Sequence, residues 1–108
     1  MKGKAIPEQT KRWADGVIQE FNDRVIRDPN RYFTARYRGG YLYLDRLHRG
    51  TAGPICRLTY TGGPDQWDFA IFKYSDERYD PAEWFFPGAE YVDGTLQGAL
   101  KAALAAYQ

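Results

Sequence analysis

Cysteine and histidine are almost missing from this chain: Cys56 and His48 occur once each. One cysteine excludes an intrachain disulfide and fits a reducing compartment, so a cytoplasmic protein is expected. No apolar run approaches the ~20 residues of a membrane helix, and no membrane association is expected. The N-terminus, MKGKAIPEQTKRW, is basic but has no apolar centre, so it does not read as a secretory signal. Charge of one sign is also missing. The net charge is +1, which argues against strong electrostatic attraction to any partner by the molecule as a whole.

The chain does have aromatic and apolar residues in quantity. They make up 17% and 44% of its 108 residues, enough for one core, and they exclude disorder through most of the length. A loose arm over residues 1–6 and a single domain over 7–108 are expected. The charges are unevenly spread. Residues 1–57 carry 12 Lys and Arg against 6 Asp and Glu, whereas residues 58–108 carry 3 against 8. That polarity marks two surfaces unless the halves fold together.

The centre of the pattern is Arg31–Arg49, RYFTARYRGGYLYLDRLHR. Gly39-Gly40 between two β-favouring runs predicts a hairpin with a type I′ turn, since glycine takes positive φ without steric cost. Arg38 then faces Tyr41, Arg36 faces Tyr43 and Thr34 faces Asp45. Alternation places Phe33, Ala35, Tyr37, Leu42 and Leu44 on a core face. Thr34, Arg36, Arg38, Tyr41, Tyr43 and Asp45 fall on the other.

Before the hairpin, Trp13, Val17, Phe21 and Val25 recur every four residues, with Ala14 and Ile18 beside them. They predict an amphipathic helix over Pro7–Arg27, stopped by Asp28-Pro29-Asn30. After it, Gly50–Pro54 reads as a loop, Ile55–Thr61 as a third strand and Gln66–Tyr74 as a fourth. Cys56 then faces Ile71, Leu58 faces Phe69, and Tyr60 faces Trp67. Arg57, Thr59, Asp68 and Ala70 point the other way. Ser75–Gly94 is expected to be a long ordered loop, with a helical turn near Pro81–Trp84 and Trp84-Phe85-Phe86 as its anchor. Asp93 or Thr95 caps a last helix with the stripe Leu96, Ala99, Leu100, Ala103, Leu104 and Tyr107. The expected fold is therefore α+β, in the order α-β-β-β-β-α. A four-stranded antiparallel meander carries both terminal helices on one face.

Three groups bear on function. Arg36, Arg38, Tyr41, Tyr43 and Arg57 share the outer face. Interleaved arginine and tyrosine suit a docking or stacking platform, and equally a solvated sheet face. His48, at a strand end among arginines, is a candidate general acid or base. Asp76, Glu77, Asp80, Glu83, Glu90 and Asp93 form an acidic set without metal-motif spacing. Cys56, on the apolar face, reads as an inert small hydrophobe. No ribonucleoprotein motif, phosphate loop or nuclease pattern is present, and no cofactor or metal is expected.

The runs RYRGGYLYLDR, PICRLTYTG, WDFAIFKYSDERYDPAEWFFPG and VDGTLQGALKAALAAY resemble a family of short uncharacterised prokaryotic proteins of about this length. The resemblance covers most of the chain beyond the first helix. It implies a stand-alone α+β domain and brings no activity, ligand or catalytic residue.

A binding module using the outer face is the expected function, in place of an enzyme, with protein as the partner. The alternatives are single-stranded nucleic acid on the Arg/Tyr face and a small hydrolase using His48 with the loop carboxylates. An open meander also leaves edge strands, over one of which a homodimer could form.

Overall fold

Glycine and left-handed backbone place the turns of this chain, and the turns set its sheet. The computed structural model describes residues 4–107. Strands β1 (Arg31–Arg38), β2 (Tyr41–His48), β3 (Thr51–Tyr60), β4 (Trp67–Lys73) and β5 (Arg78–Asp80) form one antiparallel sheet in the order of the chain. The β1–β2 register is the one expected, with Arg38 opposite Tyr41 and Thr34 opposite Asp45. So is that of β3 and β4, with Cys56 opposite Ile71 and Tyr60 opposite Trp67.

Two turns differ from expectation. At Gly39-Gly40 only Gly39 has positive φ, at 58°, which is the II′ pattern and not I′. The turn with two left-handed residues lies at Arg49 (φ 52°) and Gly50 (φ 86°). It converts the expected loop at 50–54 into the first half of β3. Ile55 is an extra residue there: Leu44 pairs with Cys56 and Asp45 with Pro54. This bulge lets both Ile55 and Cys56 be buried, where strict alternation would separate them.

The fifth strand is the main correction to the predicted meander. Three residues with two charges carry little strand signal, and Glu77 in the left-handed region (φ 52°) makes the preceding turn. The expected helical turn near Pro81–Trp84 is instead a tight turn, with the Glu83 amide donating to the Asp80 carbonyl at 3.3 Å. The helical turn in this segment falls at Ala89–Tyr91. Of the three adjacent aromatics Phe86 packs against the core, Trp84 is half exposed and Phe85 is 96% exposed.

Both helices cover one face of the sheet and share its core with Phe33, Leu42, Leu44 and Leu58. Helix α1 (Glu8–Phe21) buries Ala14, Ile18 and Phe21, but leaves Trp13 exposed. A strict four-residue spacing drifts by about 40° per step around a helix of 3.6 residues per turn. Two steps therefore carry Trp13 off the face that Phe21 holds. Val25 is exposed for another reason. The chain widens into a π-helical turn over Asn22–Ile26, so Ile26 and not Val25 reaches the core. Arg27, with φ 57°, ends the helix.

The wide turn also aims Asn22 at the outer edge of β1. Its amide nitrogen donates to the Phe33 carbonyl and its oxygen accepts from the Phe33 amide, both at 2.9 Å.

Helix α2 (Leu96–Ala106) buries Leu96, Ala99, Leu100 and Ala103 as its stripe predicts. Thr95 is the cap, accepting from the Gly98 amide at 3.0 Å, and Asp93 accepts from the Thr95 amide. Asp65, from the β3–β4 turn, accepts from the Leu96 amide at 2.9 Å and ties the helix start to the sheet. Of the expected arm at 1–6, residues 1–3 lie outside the described residues. Ile6 is buried and its amide donates to the Gly39 carbonyl at 3.0 Å. Among the described residues no helix is long and apolar enough to cross a membrane.

Candidate functional site

The two-residue alternation of β1, β2 and β3 brings Arg36, Tyr43 and Arg57 into one row on the sheet face away from the helices, with Arg38, Tyr41 and Thr59 in the next. The two arginines within the lattice are held differently. Arg36 donates to Asp45 through Nε at 2.6 Å and through Nη2 at 3.2 Å, and its guanidinium lies 4.9 Å from the Tyr43 ring centre. Asp45 is only 6% exposed, so it depends on this forked contact for its solvation. The carboxylate in turn holds the Arg36 pKa above its ordinary value.

Arg57 has no carboxylate within ion-pair distance among the described residues. Its guanidinium lies 4.6 Å from the Tyr41 ring centre and 5.5 Å from that of Tyr79. Its Nε is buried with no hydrogen-bond partner.

Tyr79 is the residue that sequence reasoning missed. It stands on β5 and reaches back across β4 to bring its ring within 5.4 Å of Tyr43. Ala70, opposite Arg57 on β4, is small enough to be buried beneath this span. Phe72 supports Tyr79 edge-on at 5.0 Å. The only signals were the small residue at 70 and the tyrosine between the charges at 78 and 80. Both are readable only once β5 is known to be a strand. Burial and the nearby Asp45 push the Tyr79 hydroxyl pKa up. The face is thus a stacked lattice of tyrosine and arginine. Arg38 flanks it and is exposed, and Tyr41 is 37% exposed.

His48 and the acidic set have no ion pair with each other among the described residues. His48 sits at the end of β2 opposite Thr51, where Arg31 Nε donates to its Nδ1 at 3.1 Å. No carboxylate lies within ion-pair distance of it among the described residues. Asp76, Asp80 and Glu83 gather about Lys73 instead, at 3.5, 3.8 and 3.0 Å. The ammonium occupies the middle of that cluster and, with the Phe85 amide, holds Glu83 below the usual carboxylate range. Among the described residues no three His, Cys, Asp or Glu are placed to hold a metal ion. Cys56 is fully buried, and burial pushes its thiol pKa far above the range in which a thiolate forms.

Trp84 and Phe85, expected inside, are exposed at 49% and 96%. Trp84 leans on Phe69 and Phe86, at 6.1 and 6.3 Å between ring centres.

No family model, curated protein or solved structure matches the chain.

Proposed function

We propose that this chain is a protein-interaction module whose outer sheet face docks a partner presenting a carboxylate within apolar surface. The observation that carries this reading is the state of Arg57, a cation stacked between Tyr41 and Tyr79 with no carboxylate within ion-pair distance among the described residues. Tyrosine and arginine held rigid by neighbours lose little freedom on binding, which is why they recur as anchors of protein interfaces. An incoming carboxylate would find a guanidinium already oriented and partly desolvated. Nucleic acid is the weaker reading, because Asp45 already occupies Arg36, and Asp68 stands on the same face opposite Thr59. The lone buried thiol of Cys56 suits a cytoplasmic setting.

The test is an amide-shift titration with a peptide of alternating glutamate and tyrosine, run beside a single-stranded oligonucleotide. The peptide is expected to shift residues 36–45, 57–59 and 79, and Tyr41→Ala is expected to weaken it about tenfold. Shifts from the oligonucleotide alone would replace the reading with nucleic-acid binding. Silence from both would leave the lattice as packing.

A further inference from the structure

A second region, on the helix side of the sheet, has the chemistry of a small-molecule site. There the β2–β3 hairpin projects past the end of β4 and a cleft of about 510 Å³ opens beside it. That volume is in the range of sites that take small organic ligands, roughly 300–1,000 Å³.

One side of the cleft is cationic. Arg46, His48 and Arg49 line it, and among the described residues no acidic one does; Arg46 Nη1 also donates to the Tyr107 carbonyl. Among the described residues none of the three has a carboxylate within 4.0 Å, whereas Arg24, Arg36, Lys73 and Arg78 are each paired. Asp28 lines a neighbouring hollow, and its carboxylate accepts from the Asn30 amide. Arg31 engages His48 Nδ1, so the ring proton of neutral His48 sits on Nε2, as a donor.

The other side is apolar and fixed. Tyr74 and Tyr107 meet edge to face at 5.4 Å, beside Ile55. The Tyr74 hydroxyl donates to the Pro54 carbonyl at 2.7 Å, and that of Tyr107 donates to the Phe72 carbonyl. Gly53 makes room for this: a Cβ there would stand 3.1 Å from the Tyr74 hydroxyl.

We propose that this cleft binds a small phosphorylated molecule with a flat ring, of the nucleoside monophosphate class. Arg49, the N–H groups of Arg46 that do not face the Tyr107 carbonyl and the imidazole N–H take the phosphoryl oxygens, and the ring lies against the tyrosine wall.

The test uses the whole chain with adenosine 5′-monophosphate, adenosine and inorganic phosphate, each followed by amide shifts. The nucleotide is expected to shift residues 46–55, 74 and 107 at millimolar concentration, and more strongly than either fragment. Arg49→Gly is the informative variant, because glycine adopts the left-handed backbone of this turn at least as well. Its melting temperature is expected to hold or rise while nucleotide affinity falls roughly tenfold. Absence of nucleotide shifts would overturn the site. Equal shifts from inorganic phosphate would overturn the ring-bearing ligand, and unchanged affinity in Arg49→Gly would overturn the cationic wall.

Discussion

The Arg36–Asp45 pair is unequal, and the inequality is measurable. The Asp45 side chain is 8% exposed and that of Arg36 57%. Removing the arginine strands a buried charge, whereas removing the aspartate leaves a cation that water can reach. Arg36→Met is therefore expected to cost about 2 kcal/mol, and Asp45→Leu clearly less, as read from urea midpoints. Equal losses would mean that the carboxylate finds water after all. At this scale the sequence was half legible. Alternation placed Arg36, Arg38, Tyr41, Tyr43 and Arg57 on one face, and the structure keeps them there. It could not show that Asp45 engages Arg36 or that Tyr79 arrives from β5 to cover Arg57. Side-chain reach across two strands leaves no periodic trace.

Elements were legible where one period ran unbroken. Both long hairpin registers and the α2 stripe follow from alternation and from 3.6-residue spacing. The misses occur where the period changes: the widened turn after Phe21, the extra residue at Ile55 and the three-residue β5. The segment before α2 shows how an irregular stretch can still be held tightly. Gly88 has φ 95°, and a Cβ there would stand 2.7 Å from both the Ala102 carbonyl oxygen and the Ala105 Cβ. The alanines of α2 let this segment come so near. Gly88→Ala is thus both strained and overpacked, and is expected to cost about 2–4 kcal/mol in a thermal or urea melt. A loss near zero would show that this segment lifts away freely.

Across the whole molecule, the tyrosines couple folding to alkali. Tyr37, Tyr74, Tyr79 and Tyr107 all have raised pKa values, each mainly because burial disfavours the phenolate. For Tyr37 the Asp15 carboxylate, accepting its hydroxyl at 2.6 Å, adds to the effect. In the unfolded chain these groups ionise near pH 10. Their contribution is therefore complete below that pH and is lost as pH rises through the folded values. Urea midpoints are expected to fall steeply above about pH 10, and less steeply in Tyr37→Phe. A flat profile would mean that the rings are hydrated in solution.

The Asn22 side chain, donating to and accepting from Phe33, behaves as one residue of a strand that is not there. The Phe33 backbone N–H and C=O point off an edge whose next such positions, by the two-residue period, are Ala35 and Tyr37. Bare edges are where chains stack into fibrils. One amide borrowed from a helix end thus closes the rung that an incoming chain would need to lie along the full length of β1. The guard on this edge of the sheet is accordingly a polar side chain at the end of a helix, outside the sheet it covers.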